Sequence, residues 1–274
     1  MVETPRHQWD AILAEARSDN RAVLLPYLTA GLPTPKDSAS LFEAMAEAGA
    51  DGFEVGIPYS DPLMDGPTIQ AAGLRAIEAG ATLDRSLGIV EDVVRVTGLP
   101  TIVMTYANPI LSRGLERFAR DAAGAGASAV IVADLPVDEA GPFQGAFSAA
   151  GLGSVLFAAP TTTQDRLAEI ASRDPVFIYG VARLGVTGEQ ADGSSQVVGL
   201  AARVRAVTDA PLVLGVGIST PQQAAEAAAV ADGVIVGSAL VRRVLDASSP
   251  ADAAAALRSA VVELAAAVRR TGAH

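Results

Sequence analysis

Carboxylates are concentrated in one short stretch of the sequence. Glu54 lies in the otherwise apolar run Gly52–Val55, which predicts a buried strand, and it stands near the carboxyl end of that run. Burial raises the pKa of a carboxyl group and so suits it to proton transfer near neutral pH. The alternative is a structural ion pair between Glu54 and an arginine. Asp61 and Asp65 follow in the adjoining loop, where each is either a functional group or an ordinary turn former.

The residue types present restrict the chemistry to carboxylates and phenols. The sequence has no cysteine, one lysine (Lys36) and two histidines, His7 and His274, near the two ends. A catalytic triad, a multi-histidine metal site and a cysteine nucleophile are therefore excluded. Schiff-base chemistry is disfavoured because Lys36 stands in a proline-rich loop. We expect no metal ion, and acid–base chemistry is left to Asp, Glu or Tyr.

Glycine-rich segments in the second half of the chain have the features of a phosphate site. Two predicted strands run into Gly215–Ser219 and Val236–Ser238, and a helix directly follows the second. Glycine lets the backbone approach an anion, and a helix N-terminus offers unpaired N–H groups. The segment Gly185–Gly188 could add further donors. Each glycine pair taken alone is equally consistent with a tight turn.

Alternating strands and helices must position these residues. Eight short apolar runs predict strands that are buried on both faces, and helix-forming sequence follows each of them. The predicted strands are Ala22–Leu28, Gly52–Val55, Thr101–Tyr106, Ala129–Ala133, Ser154–Ala158, Val176–Tyr179, Leu212–Gly215 and Gly233–Val236. Eight such units in 274 residues predict a single (β/α)₈ barrel domain. A doubly wound open sheet is the alternative.

Three predicted helices and two long loops are added to the eight strand–helix units. His7–Ala16 predicts an amphipathic helix that covers the bottom of the barrel, and Leu83–Thr97 predicts an extra helix in the second unit. Ala251–Arg270 predicts a final helix. The loops after strands 2 and 6, Gly56–Gly66 and Gly180–Ser195, are long. Long loops at the carboxyl ends of barrel strands usually carry function.

The net charge and the hydropathy of the sequence indicate which kinds of partner the protein is not expected to bind. The net charge of −11 opposes binding to a phosphate backbone, so we expect no nucleic-acid partner. No run of about 18 apolar residues predicts a membrane helix, and the chain begins with a polar segment, so we expect a soluble cytoplasmic protein. The residues alone therefore predict a barrel enzyme that acts on a phosphorylated small molecule by carboxylate acid–base chemistry.

One long motif makes the sequence similar to a known family. The segment Glu54–Gln70, Glu-Val-Gly-Ile-Pro-Tyr-Ser-Asp-Pro-Leu-Met-Asp-Gly-Pro-Thr-Ile-Gln, resembles the signature of tryptophan synthase α subunits. Further matching segments follow the family order over nearly the whole chain and begin at Pro26, Tyr106, Val132, Arg183, Gly215 and Val236. The resemblance implies retro-aldol cleavage of indole-3-glycerol phosphate to indole and glyceraldehyde 3-phosphate, in L-tryptophan biosynthesis. The protonated indole ring accepts the electrons, so neither an imine nor a metal is required.

The resemblance also implies roles for individual residues. Glu54 would move protons between indole C3 and the glycerol hydroxyl, Asp65 would accept the indole N–H, and Tyr179 would line the site. The implied ring contacts are Tyr27 and Ile69, and the implied phosphate contacts are Gly188, Gly217, Gly237 and Ser238. Thr187 would close the sixth loop by bonding to Asp65. Val216 stands where family members often carry Phe, which predicts a looser wall of the indole pocket.

The family likeness further implies a protein partner. Family members bind a β subunit that contains pyridoxal phosphate, in a complex of two α and two β subunits, and the α chain itself holds no cofactor. Pro58, Asn108 and Pro109 are the implied interface residues, although each is also a residue type that is common in ordinary loops.

Two other functions remain open. One is another phosphate-binding barrel, such as an isomerase of the same pathway, and the other is a non-catalytic module that activates a β partner. An intact Glu54 and Asp65 argue against both.

Overall fold

Eight parallel strands close into a barrel in sequence order, and β8 pairs with β1. The structure, a computed structural model, describes residues 5–181, 190–215 and 217–270. The strands are β1 Val23–Thr29, β2 Phe53–Gly56, β3 Thr101–Thr105, β4 Ala129–Val132, β5 Gly153–Ala158, β6 Ile178–Val181, β7 Leu212–Gly215 and β8 Gly233–Val236. The closed order confirms the predicted (β/α)₈ barrel and excludes the open sheet.

Helices surround the barrel. Those of the first half are α1 Pro5–Ser18, α2 Ser38–Glu47, α3 Pro67–Glu78, α4 Leu83–Thr97, α5 Ala107–Arg113 and α6 Leu115–Gly124. Those of the second half are α7 Ala140–Ala149, α8 Gln164–Ser172, α9 Gln190–Arg205, α10 Pro221–Ala228, α11 Ser238–Asp246 and α12 Pro250–Ala267, and a short 3₁₀ turn at Val137–Glu139 precedes α7. The predicted N-terminal, second-unit and final helices are confirmed as α1, α4 and α12. No helix in the described ranges is long and apolar enough to cross a membrane.

Several elements differ from the sequence prediction, and three of the differences have an identifiable reason. Helix α5 was expected to be loop, because Asn108-Pro109 is a common turn signal; Pro109 instead occupies the first turn, where its missing N–H costs no intrahelical bond. Helix α9 begins at Gln190, earlier than Ser195, because the helix cost of the glycine and serines in this stretch is modest. Strand β6 begins two residues later than predicted. An apolar run indicates which residues are buried, but it does not show which of them form hydrogen bonds with a neighbouring strand.

Helix α1 seals the bottom of the barrel, as predicted. The Trp9 side chain is fully buried, and its indole N–H donates to Ser128 Oγ at 2.9 Å, just before β4. Its ring meets Phe177 edge-on, just before β6, with ring centroids 5.8 Å apart. A Cβ added to Gly52, just before β2, would lie 3.3 Å from the Trp9 ring. Because Trp9 fills this end, a substrate must enter at the carboxyl ends of the strands.

Candidate active site

A cavity of about 820 Å³ lies at the carboxyl ends of the strands. Each of the eight strands, or the loop directly after it, contributes at least one lining residue. In strand order, examples are Tyr27, Glu54, Met104, Ala133, Phe157, Tyr179, Gly217 and Ile235. The cavity therefore occupies the end of the barrel where this fold places its active sites.

Glu54 is the buried acid of this cavity. It lies on β2 opposite Tyr27 of β1, and its side chain is 3% exposed. Its Oε2 atom has no hydrogen-bond partner among the described residues. Burial, and secondarily the negative charge of Asp65, raise the pKa of Glu54 to about 8. The described part of the chain supplies no arginine partner to this carboxyl, so the structure does not support the ion-pair alternative.

Two buried tyrosines flank the acid. The Tyr27 hydroxyl lies 3.3 Å from Thr29 Oγ1, and the Tyr179 ring stacks on Phe157 with ring centroids 5.1 Å apart. Burial raises the pKa of both phenols far above the usual value, and the negative charge of Glu54 adds to the effect. Both hydroxyls therefore remain protonated and can act as hydrogen-bond donors, but not as bases, near neutral pH.

Two glycines make room for these phenols. A Cβ added to Gly56 would lie 2.2 Å from the Tyr27 hydroxyl, and one added to Gly215 would lie 2.2 Å from the Tyr179 hydroxyl. Real Cβ atoms do not approach other heavy atoms so closely, so the glycines permit the two rings to lie against the strands. The sequence suggested only a phosphate motif at Gly215, whereas the structure gives this residue a packing role.

Asp65 reaches the cavity from the loop after β2. Its backbone N–H donates to Pro62 O at 3.1 Å, and its carbonyl accepts from Gln70 Nε2 at 2.9 Å. Burial raises the pKa of Asp65, and hydrogen bonding by the Tyr106 hydroxyl opposes that rise. Asp61 in the same loop is exposed and does not line the cavity. The structure thus separates the two aspartates, and only Asp65 joins Glu54.

The expected phosphate contacts are only partly within the described residues. Gly217, Gly237 and Ser238 all line the cavity. Gly237 precedes α11, and the N–H groups of Leu240 and Val241 bond back to its carbonyl. The N–H groups of the first helical positions have no acceptor within the helix, so they are free to meet an anion. Thr187, Gly188 and Val216 lie outside the described residues.

Apolar side chains complete the cavity, and most of them were not predicted from the sequence. Met104, Leu135 and Phe157 line it beside the predicted Ile69. Met104 and Phe157 could have been found by strand alternation, since each lies near the carboxyl end of a predicted strand. Leu135 follows the fourth predicted strand, in a segment that resembles the family but has no pattern that predicts a ligand contact. With these residues, the lining of the cavity is largely apolar and contains few polar groups.

The predicted interface residues lie on the loop after β2 and on α5. Pro58 and Pro109 are partly exposed and Asn108 is exposed. Asn108 Nδ2 donates to the Tyr59 hydroxyl at 3.0 Å, so the two segments are in contact. Within the described ranges, no group of three Asp, Glu or His side chains could hold a metal ion.

Comparison with known proteins places this geometry in one family. The family model described as tryptophan synthase alpha chain matches residues 13–269. The tryptophan synthase alpha chain of Salinispora tropica is 46% identical over 255 residues, which cover 93% of this chain and 95% of that protein. That of Streptomyces coelicolor is 42% identical over 257 residues, covering 94% and 95%. A solved structure of Mycobacterium tuberculosis tryptophan synthase superposes with a TM-score of 0.87 at 39% identity, covering 96% and 98% of the two chains.

Proposed function

This chain belongs to the tryptophan synthase alpha chain family, and we infer that it is a lyase that cleaves indole-3-glycerol phosphate to indole and glyceraldehyde 3-phosphate. The observation that carries the mechanism is the position of Glu54, a buried carboxyl at a barrel strand end beside Asp65, whose Oε2 atom has no hydrogen-bond partner among the described residues. Enzymes that separate the pKa values of two neighbouring carboxyls obtain an acid and a charge stabiliser from the same residue type.

Glu54 is proposed as the group that moves the protons. With a pKa of about 8, it is mainly protonated at neutral pH and can donate its proton to indole C3. The resulting carboxylate then removes the proton of the glycerol hydroxyl next to the ring, and the bond from C3 to that carbon breaks. The bonding electrons return to the ring, so indole and an aldehyde form. Glu54 regains its proton in this step, and no net proton is consumed.

Asp65 is proposed to stabilise the charge that the ring acquires. Protonation at C3 makes the ring nitrogen cationic, and a carboxylate that accepts the N–H stabilises this state more than the neutral substrate. The hydrogen bond from Tyr106 favours the ionised form of Asp65, which this role requires. Tyr179, beside Glu54 and still protonated, is proposed to donate to the reacting side chain.

The rest of the cavity is proposed to bind the two ends of the substrate. Met104, Leu135 and Phe157 supply an apolar wall for the indole ring, with Tyr27 and Ile69 beside them. Backbone N–H groups at Gly217, Gly237 and Ser238 are proposed to hold the phosphate. By family likeness, Gly188 would add a phosphate contact and Thr187 would close over the substrate by bonding to Asp65.

We also propose that the chain works with a tryptophan synthase β subunit, in a complex of two α and two β chains, with pyridoxal phosphate bound only by the β chain. The surface around Pro58, Asn108 and Pro109 supports this proposal, because it lies among exposed apolar side chains. Leu63 is 89% exposed, Met64 65% and Leu111 58%. Large apolar side chains exposed near one another commonly mark a protein interface. A cytoplasmic location accords with this biosynthetic role.

The test is indole release from indole-3-glycerol phosphate by the purified full-length chain, with and without a tryptophan synthase β subunit. We expect slow release by the chain alone and a substantial rise in kcat with the partner, because docking beside the loop after β2 can favour a closed site. Absence of indole under both conditions would refute the assigned reaction. An unchanged kcat at saturating partner would refute the partner proposal alone.

A further inference from the structure

A tyrosine to which the sequence motifs assign no role stands between β3 and the loop after β2. Tyr106 directly follows β3 and is the residue before α5. Its side chain is 2% exposed, and it is not among the residues that line the cavity. Tyr106 therefore lies behind the active site, where it can act on the site only through another residue.

The hydroxyl of Tyr106 is directed at the loop that carries Asp65. Its oxygen accepts a hydrogen bond from the Met64 N–H at 3.2 Å. Because that oxygen serves as an acceptor, the hydroxyl proton is available to a second partner. The carboxylate nearest in sequence to this contact belongs to Asp65, the residue after Met64, and hydrogen bonding by the Tyr106 hydroxyl opposes the rise that burial causes in the pKa of that carboxyl. One phenol thus bonds both the backbone and the side chain of adjacent residues in this loop.

The Tyr106 ring is itself held in place. It packs against Tyr59 with ring centroids 5.2 Å apart and an interplanar angle of 36°. The next residue, Ala107, donates its N–H to Asp134 Oδ1 at 2.8 Å, which anchors the start of α5. The Asp65 backbone is fixed separately by Gln70. Among the described residues, these contacts leave the Tyr106 hydroxyl as the group that can orient the Asp65 side chain before any loop closes over the site.

We propose that Tyr106 is a positioning residue that orients the Asp65 carboxylate towards the indole N–H. The inference rests on the proposed function, because it assumes that Asp65 meets the ring nitrogen. A carboxylate on a loop whose neighbours Leu63 and Met64 are largely exposed would otherwise sample several rotamers. If Tyr106 holds the Asp65 side chain in one rotamer beforehand, the conformational entropy of ordering that side chain need not be lost on the way to the transition state.

Tyr106→Phe in the full-length chain tests this role, because phenylalanine keeps the ring and removes the hydroxyl. A hydrogen bond to a charged group is strong enough that we expect kcat for indole release to fall about tenfold or more, with little change in KM. The acid limb of the kcat profile should also move to higher pH, since the Asp65 carboxylate loses a donor. Within the described ranges, the other titratable groups near Asp65 are Glu54 on β2 and Tyr27 on β1, and Asp134 is near Tyr106; all are retained in the variant.

Tyr59→Phe is the matched control. It removes a hydroxyl from the ring packed against Tyr106, and that hydroxyl bonds to Asn108 and not to Asp65. We expect kcat and the pH profile of this variant to match those of the wild type. An equal loss in Tyr59→Phe would mean that any hydroxyl in this ring pair supports the fold, and the positioning role would be wrong. Inorganic phosphate should bind both variants as it binds the wild type, which confirms a folded site.

The Asp65→Asn variant separates this inference from the proposed function. If Tyr106 acts through Asp65, the double variant Tyr106→Phe/Asp65→Asn should lose no more turnover than Asp65→Asn alone. Additive losses would show that Tyr106 acts elsewhere. Wild-type turnover in Asp65→Asn would instead overturn the role of Asp65 itself. If Asp65→Asn is inactive while Tyr106→Phe keeps the wild-type kcat and pH profile, only the positioning role is overturned.

Discussion

Replacing Glu54 with glutamine should stabilise the folded chain, and the gain should grow with pH. Burial and the Asp65 charge raise the pKa of Glu54 from 4.5 to about 8 in the folded protein. The unfolded chain exposes this carboxyl, which then titrates near 4.5. Between these two pH values the folded protein holds a proton that the unfolded chain has released. The stability that Glu54 contributes is therefore fully present below pH 4.5 and is lost as the pH rises to about 8.

The size of the effect follows from the width of that window. Each pH unit within it lowers the free energy of unfolding by about 1.4 kcal/mol. The loss due to Glu54 is therefore about 3 kcal/mol at pH 7 and about 5 kcal/mol above pH 8. Glutamine has the same shape and does not ionise, so Glu54→Gln should avoid this loss. The stability difference between variant and wild type should rise by these amounts from acid to alkaline pH.

Urea unfolding at pH values of about 5, 7 and 9 measures this difference. Trp9 is the single tryptophan and is fully buried, so its fluorescence reports on unfolding of the barrel. Glu91→Gln on the exposed face of α4 is the control, because that carboxylate meets solvent in both states. A stability difference between Glu54→Gln and wild type that stays constant across this pH range would refute the assignment of Glu54 as a group kept protonated by burial.

Three further substitutions test other parts of the site. Asp65→Asn should lower kcat strongly and change KM little, because the positive charge that the Asp65 carboxylate stabilises develops only in the transition state. A change confined to KM would contradict this role of Asp65. Gly215→Ala should lower kcat, because the added Cβ would lie 2.2 Å from the Tyr179 hydroxyl and displace it. Gly88→Ala is the control, since a Cβ there meets no atom within 4 Å and kcat should not change. Equal kcat values for the two variants would show that Gly215 is not needed to make room for Tyr179. Gly237→Val should weaken binding of glycerol 3-phosphate measured by calorimetry, and unchanged affinity would place the phosphate elsewhere.

The barrel and the acid could be predicted because the signals for both are local. Buried parallel strands read as continuous apolar runs, and Glu54 stands out as one charged residue within such a run. The loop after β2 was equally visible, since its length and its two aspartates are sequence properties.

Features that depend on distant residues could not be predicted in this way. Tyr106 meets Met64 across 42 positions, and no motif joins the two. The packing roles of Gly56 and Gly215 depend on where the rings of Tyr27 and Tyr179 lie, which only the closed barrel determines. Helix α5 was overlooked because the same Asn-Pro pair begins turns and first helical turns alike.

Turnover of indole-3-glycerol phosphate by wild type and Glu54→Gln tests the central claim most directly, since both proteins should fold and bind phosphate. Indole release is followed with the full-length chains under identical conditions, with and without a β subunit. Loss of a positioned proton-transfer group predicts a fall of about 10²–10⁴-fold in kcat for the variant. Release of indole by Glu54→Gln at near wild-type rate would show that another group moves the protons, and the assignment of Glu54 would be wrong.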